Sequence, residues 1–320
     1  MRCAILDDYQ DVAVKLADWG PVKAKAEVRV FNDHVADRDQ LAQALSEFEI
    51  VCAMRERTPF DRALFERLPK LKLLVTSGMR NASIDLAAAS ARGVTVCGTE
   101  VLPHATAELT WALILSLMRK VPQEFAELRR GGRWQNSVGL DLVGKRLGVI
   151  GLGRLGSRVA RVGLAFEMKV VAWSRNLTAE RCKEAGVELA PSLDELLRAA
   201  DIVTLHLVLS ERTRGLIGAR ALGLMKPTAF LINTSRGPIV EEQALIAALR
   251  EKKIAGAGLD VYDQEPLPPS HPFRSFDNLV ATPHLGYVSE DTYRVFFQGM
   301  VEDIVAWLNG KPIRVLNAKP

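Results

Sequence analysis

Three groups of residues have types and spacings suited to chemistry. The first is Gly151-Leu152-Gly153-Arg154-Leu155-Gly156, a G-x-G-x-x-G run after the apolar stretch 147–150 and before a helical pattern over 157–166. Gly151 suits a tight strand-to-helix turn, Gly153 admits a pyrophosphate to the backbone, and Gly156 allows helix and strand to pack closely. Free N–H groups at the helix start, with the positive end of its dipole, favour a diphosphate. In this strand–turn–helix context the motif predicts dinucleotide binding by Gly151, Gly153, Arg154, Leu155 and Gly156. The alternative is a glycine-rich turn in an α/β domain without a ligand.

The second group closes the next strand as Trp173-Ser174-Arg175-Asn176. An acid commonly stands there, bonding a ribose 2′-hydroxyl and repelling a 2′-phosphate. Ser174 with Arg175 instead suits a 2′-phosphate, so NADP(H) is expected over NAD(H). Arg175 alternatively lies in solvent or stacks on the adenine.

The third group is spread over three predicted strand ends. It comprises Ile232-Asn233-Thr234-Ser235-Arg236-Gly237, then Leu259-Asp260-Val261-Tyr262-Asp263-Gln264-Glu265-Pro266, then Thr282-Pro283-His284-Leu285-Gly286. The carboxyl edge of a parallel sheet is where ligands bind. A histidine such as His284 can supply a proton near neutral pH as charge develops on a carbonyl oxygen. Glu265 beside it would favour imidazolium and fix the ring. The rigid donor fork of Arg236 can bond a carboxylate and polarise the carbonyl.

These groups need a scaffold with many aligned strand ends. Apolar runs at 3–6, 28–31, 50–54, 71–75 and 94–97 read as strands, with helical patterns such as 38–48 and 82–91 between them. A second series at 147–150, 169–173, 202–205, 229–232, 257–261 and 279–281 reads the same way, with helical patterns including 241–250. Such alternation predicts α/β architecture with parallel sheets, and the apolar strands predict burial on both faces. An apolar helix over 103–119 links the two series, and an amphipathic stretch over 289–308 returns to the first. The expected division is a discontinuous smaller domain, 1–99 plus 290–320, and a nucleotide-binding domain, 100–289. Two chain crossings would form a hinge and a cleft, a common ligand position.

The bulk composition agrees. The chain has 320 residues, 48% hydrophobic and 25% charged, which excludes disordered and fibrous classes and suits two domains. Its net charge of +4 is dispersed, so nucleic-acid binding is not expected. The apolar stretch 109–118 is too short to span a bilayer, and no signal peptide is read at the N-terminus. Cys3, Cys52, Cys97 and Cys182 lack metal-ligand spacing and read as reduced, buried thiols of a cytoplasmic protein.

The ordered set G-x-G-x-x-G, N-T-x-R-G, D-V-x-x-x-E-P and P-H-x-G resembles the D-isomer-specific 2-hydroxyacid dehydrogenase family, which includes hydroxypyruvate and glyoxylate reductases and phosphoglycerate dehydrogenases. The likeness runs from Leu6-Asp7-Asp8-Tyr9 through Ala107-Glu108 to the last motif. It implies two doubly wound parallel-sheet domains, a Rossmann cofactor domain and a smaller flavodoxin-like substrate domain. It implies a catalytic triad of Arg236, Glu265 and His284, and further cofactor contacts at Leu207, Thr213, Thr234 and Asp260. Of the five histidines, His284 alone keeps company with Arg236 and Glu265 in the family's order. His206 would lie beside the cofactor without acting as the acid. Formate dehydrogenases of similar fold carry Gln at the position of Glu265, so Glu favours 2-hydroxy acid chemistry.

On the substrate side the loop from Ser77 to Asp85 resembles one whose backbone amides, here of Gly78 and Met79, hold the substrate carboxylate. Arg55 aligns near the same pocket, while Arg57 could be solvated. Arg80 stands where many members have a second glycine. It either widens preference toward acidic or phosphorylated substrates or points outward into a salt bridge. Val208 stands where many have proline.

The resemblance implies hydride transfer between NAD(P)H and C2 of a small 2-keto or D-2-hydroxy acid, of the hydroxypyruvate or glyoxylate type. The alternatives are a 3-phosphoglycerate dehydrogenase and a non-enzymatic NAD-sensing corepressor-like protein. Relatives commonly form homodimers through the cofactor domain, with the helix over 103–119 at the interface. Burial of that helix within one chain is the alternative.

Overall fold

Short aliphatic runs build two sheets in the computed structural model, which describes residues 1–318. The chain divides into two compact units, one holding Met1–Leu102 and the stretch from Ser289 onward, the other Pro103–Val288. Residues 319 and 320 of the expected discontinuous domain lie outside those described.

The first unit contains β1 (Arg2–Ile5), β2 (Glu27–Val30), β3 (Ile50–Ala53), β4 (Leu73–Thr76) and β5 (Thr95–Gly98). All pairs are parallel and the order is β2-β1-β3-β4-β5, the doubly wound pattern whose order reverses at β1/β3. β3 and β4 are buried throughout. β2 departs from that expectation: as an edge strand it alternates exposed and half-buried residues. The helix expected over 82–91 begins only at Leu86, because Asp85 caps it by accepting the Ala88 N–H. Ser83 and Asp85 bond the backbone of Phe60 instead, at 2.8 and 2.9 Å. The helix Glu290–Leu308 packs on β4 and β5, with Gly299 letting it approach Thr99 closely.

The second unit contains β6 (Arg146–Ile150), β7 (Lys169–Trp173), β8 (Glu188–Leu189), β9 (Ile202–Leu205), β10 (Phe230–Asn233), β11 (Gly256–Leu259) and β12 (Leu279–Ala281). The order is β12-β11-β10-β9-β6-β7-β8, all parallel, with reversal at β6/β9. β8 was not anticipated; two exposed residues at a sheet edge leave no periodic signal. Nor was the helix Val121–Arg129, whose first turn carries Pro122 and which follows Lys120 in a left-handed conformation (φ 52°).

One face of the helix Ala105–Arg119 is covered by its own unit. Trp111, Leu113, Ile114, Leu117 and Met118 are buried against Leu147, Val149, Val159 and Met168 of the same unit. Each large apolar side chain so enclosed contributes about 1.5–3 kcal/mol. Exposed apolar surface lies on Phe125 and Leu128 of the following helix and on Trp134 and Val138 beyond it. Cys3, Cys52, Cys97 and Cys182 are free and buried. Among the described residues no helix is long and apolar enough to cross a membrane.

Candidate active site

The glycine turn follows β6 at the β6/β9 reversal. Gly151 has φ +99°, and a β-carbon there would lie 2.5 Å from the His206 carbonyl oxygen just past β9. A β-carbon on Gly156 would lie 1.9 Å from the Gly151 carbonyl oxygen, so the helix Arg154–Ala165 can begin beside the turn only because that atom is missing. Gly153 is different: a β-carbon there would meet nothing within 4 Å. That open space, beside the exposed first residue of a helix, fits a diphosphate of a dinucleotide.

The remaining expected cofactor residues border this turn or line the same sheet edge. The Gly151 N–H donates to the Trp173 carbonyl at 2.8 Å, which brings the end of β7 and hence Ser174 alongside. Ser174 is half-buried and Arg175 exposed; Leu155 and Leu207 are half-buried, and the Leu207 side chain lies against Gly151. Thr213 Oγ1 donates to the Val208 carbonyl and accepts the Ser210 N–H, both at 2.8 Å, which fastens the loop after His206. Val208 itself is exposed. Burial lowers the pKa of His206 to about 4, and its Nε2 lies 2.9 Å from Thr204 Oγ1. Its ring is therefore neutral at physiological pH, which suits a neighbour of the cofactor and not a proton donor.

The chemical triad comes from three consecutive strand ends. His284 follows β12 with a left-handed backbone (φ 55°), and its Nδ1 lies 2.5 Å from Glu265 Oε2 in the loop after β11. Glu265 Oε1 accepts the Tyr262 N–H at 2.9 Å, so both carboxylate oxygens are engaged. His284 Nε2 bonds no described residue, leaving the far side of the ring for a proton transfer. Tyr287 crosses the imidazole edge-on at 5.2 Å between ring centres.

Arg236 follows β10. Its loop is fixed by Asn233, which donates to the Arg236 carbonyl at 3.0 Å and accepts the Ser235 N–H at 3.0 Å. Ser235 Oγ donates to the Leu205 carbonyl at 2.6 Å, and Arg236 Nη1 to the Ser235 carbonyl at 2.7 Å. Gly237 lets this loop abut Tyr262, since a β-carbon would lie 2.1 Å from the Tyr262 carbonyl carbon.

Asp260 lies just past β11. It is 0% exposed. Its Oδ1 accepts the Thr282 hydroxyl at 2.6 Å and the Leu285 N–H at 2.7 Å, and its Oδ2 accepts the Gly286 N–H at 2.8 Å. These bonds tie the His284 turn to the end of β11, and Oδ2 keeps acceptor capacity beyond the Gly286 N–H. Burial pushes its carboxyl pKa up, against the opposing pull of these donors. Thr106 was missed altogether. Its Oγ1 donates to the Gly286 carbonyl at 2.8 Å, 180 residues away in sequence, and Thr110 bonds its carbonyl from the next turn. Thr110 also meets Thr234, hydroxyl to hydroxyl, at 2.9 Å. Among the described residues no group of His, Cys, Asp or Glu is placed to hold a metal ion.

In the first unit, Arg55 follows β3 and Gly78, Met79 and Arg80 follow β4. Gly78 has φ +91°, and a β-carbon there would fall 2.1 Å from Arg55 Nη1, so the guanidinium occupies space that only glycine leaves. The Gly78 N–H, expected as a substrate donor, already donates to Thr99 Oγ1 at 3.0 Å. The Met79 amide, by contrast, bonds no described residue, and its side chain is exposed. Arg80 is exposed and in no ion pair among the described residues. Arg57 is not simply solvated. It donates to the Asp7 carbonyl and to Tyr293 Oη, and lies over the Tyr9 ring.

Comparison with known proteins agrees with this arrangement. The model of the D-isomer specific 2-hydroxyacid dehydrogenase, NAD binding domain, matches residues 111–286. A glyoxylate reductase of Aeropyrum pernix is 42% identical over 260 residues, covering 78% of this chain and 77% of that protein. A D-3-phosphoglycerate dehydrogenase of Methanocaldococcus jannaschii is 35% identical over 277 residues, covering 86% of this chain and 52% of that longer protein. The crystal structure of a phosphoglycerate oxidoreductase from Vibrio cholerae superposes with a TM-score of 0.93 at 37% identity, covering 97% of this chain and 99% of that one.

Proposed function

The chain belongs to the D-isomer specific 2-hydroxyacid dehydrogenase family, and on that premise we propose that it reduces a small 2-keto acid of the glyoxylate or hydroxypyruvate kind. The observation that carries this reading is the His284–Glu265 pair, with Nδ1 held at 2.5 Å and Nε2 left open. When bound, the nicotinamide supplies a hydride to C2. His284 delivers the proton from Nε2 to the C2 oxygen, and Glu265 stabilises the imidazolium from behind. Arg236 polarises the carbonyl and bonds the carboxylate. The turn Gly151–Gly156, with Ser174, Arg175, Leu207, Thr213 and Thr234, holds the cofactor, so residues 100–289 act as the cofactor domain.

Residues 1–99 and 290–320 act as the substrate domain. Arg55 and the Met79 amide cradle the substrate carboxylate, and Arg80 extends the positive charge beside them. Ser174 with Arg175 supports NADP(H) over NAD(H). The exposed Phe125, Leu128, Trp134 and Val138 support a homodimer joined through the cofactor domain, where the helix Ala105–Arg119 is expected; light scattering that returns a monomer mass would remove this point. A cytoplasmic protein acting on small molecules, with neither nucleic-acid nor membrane partners, suits the dispersed +4 charge.

The phosphoglycerate-type relatives favour a second reading, oxidation of 3-phosphoglycerate. Both are tested by steady-state oxidation of NADPH and NADH with glyoxylate, hydroxypyruvate, pyruvate and phosphohydroxypyruvate, beside His284→Ala. Turnover on the first two that collapses in the variant supports the main reading, and exclusive use of phosphohydroxypyruvate supports the second. Cofactor binding without turnover on any of them would favour a corepressor-like sensor.

A further inference from the structure

Asn81 stands two residues beyond Met79, and its side chain is fully committed. Nδ2 donates to the Arg55 carbonyl at 2.6 Å and to Thr76 Oγ1 at 2.9 Å. Oδ1 accepts the Ser83 N–H at 3.0 Å and the Ser83 hydroxyl at 2.6 Å. The orientation is fixed by chemistry: a carbonyl only accepts and an amide N–H only donates, so a flipped amide would set like against like at both ends. One side chain thus ties the loop after β3 to the end of β4 and to its own loop.

Arg55 is the residue that needs the tie. Its φ of 51° is left-handed, a conformation that crowds the β-carbon against the following carbonyl and that an arginine rarely adopts. Three bonds hold it there. Its N–H donates to Ser77 Oγ at 2.8 Å, its Nη1 to the Ser77 carbonyl at 3.1 Å, and its carbonyl accepts from Asn81. The outcome is a guanidinium lying over Gly78, the residue that precedes the Met79 amide. A relaxed Arg55 backbone would swing that guanidinium away and remove its hold on a carboxylate.

We propose that Asn81 is the positioning residue of the carboxylate cradle, setting affinity for the 2-keto acid by locking Arg55 over Gly78 while touching neither cofactor nor acid. The inference rests on the reading of Arg55 and Met79 as that cradle. Its specificity consequence is that the substrate's carboxylate end is gripped tightly, while the exposed Met79 and Arg80 side chains are left to vary with its other end.

The test uses the full-length enzyme and whichever 2-keto acid turns over fastest. Asn81→Asp keeps the acceptor for Ser83 and removes both donors. It raises the keto-acid KM roughly tenfold or more while leaving kcat and the cofactor KM near wild type, the signature of binding lost equally from ground and transition state. The same change made in an Arg55→Met background has almost no further effect, because its target is gone. Ser77→Ala, which cuts the second backbone tie, behaves alike and serves if Asn81→Asp does not fold. Stabilisation of the protein by oxalate, read as a thermal shift, repeats the measurement without turnover and shrinks in parallel. An unchanged keto-acid KM in both variants, or an equal rise with and without the Arg55 side chain, overturns the inference. If Arg55→Met is itself silent, the cradle reading falls with it; if Arg55→Met raises KM while Asn81→Asp does not, only the role of Asn81 falls.

Discussion

Asp260 and Gly286 are locked to one another: Oδ2 accepts the glycine N–H at 2.8 Å, and a β-carbon on Gly286 would come within 3.0 Å of that same oxygen. The bond fixes the turn just beyond His284. Asp260→Asn keeps the shape but presents two N–H donors to a site already lined with donors. We expect kcat to fall by about 10²-fold, as for a misplaced catalytic group, with cofactor binding intact. Thr106→Val, which removes the clamp on the other side of the turn, should act in the same direction and less strongly. Unchanged kcat in Asp260→Asn would count against the bracing role.

Exposed Gly153 and buried Gly156 separate binding from folding. Gly153→Ala places a methyl where nothing packs, so the melting temperature should stay within about 2 °C of wild type while cofactor affinity drops. Gly156→Ala forces a methyl into the Gly151 carbonyl and should destabilise by about 1–3 kcal/mol. Isothermal titration and thermal melts on the two variants distinguish these outcomes. Equal effects on both quantities in both variants would refute the assignment.

Ser174→Asp restores a carboxylate at the end of β7. It should repel a 2′-phosphate and bond a 2′-hydroxyl, turning preference toward NADH. The ratio of kcat/KM for the two cofactors measures this directly. A wild-type enzyme already favouring NADH strongly would show that Ser174 and Arg175 do not select the phosphate.

Asp303 predicts how stability follows pH. It is fully buried in the helix Glu290–Leu308, bonded through Oδ1 to Arg314 Nε at 2.9 Å, while Oδ2 has no hydrogen-bond partner among the described residues. Burial raises its pKa to about 7 despite Arg314, which Glu302 also pairs. A folded pKa above the unfolded one gives stability present below the ordinary carboxyl range and lost as pH rises through about 7. Each pKa unit of difference is worth roughly 1.4 kcal/mol. Melts between acidic and alkaline buffers should therefore show a decline through neutrality that Asp303→Asn flattens. An identical slope in the variant would point to another group.

The parts of this molecule that were legible in its sequence are those written as local spacing. Gly151, Gly153 and Gly156 announce a turn because their intervals are set by one helix and one strand. Arg236, Glu265 and His284 each sit a few residues past an apolar run, so strand ends and triad could be read together. Asn81 and Thr106 were invisible because their partners are remote in sequence, and a lone Asn or Thr carries no mark of what it will bond. The bracing bonds of Asp260 were not legible, since a position at a strand end says where a residue lies and not which way its oxygens are drawn. The sequence of the helix Ala105–Arg119 does not say which of its faces its own chain covers, because an apolar surface looks the same whether its own chain or another covers it. The shift of the 82–91 helix to Leu86 came from a cap at Asp85 that outweighed alanine propensity.

The return of the C-terminal helix to the first unit sets an order of events during synthesis. β4 and β5 leave the ribosome long before Glu290–Leu308, the helix that covers them, has been translated. The segment Pro103–Val288 is complete by then and can fold as a unit. The amino-terminal half-domain must wait with an uncovered apolar sheet until the last tenth of the chain emerges. Truncations that remove this helix should therefore yield soluble cofactor domain trailing an aggregation-prone amino terminus, and chaperone dependence should concentrate in that interval.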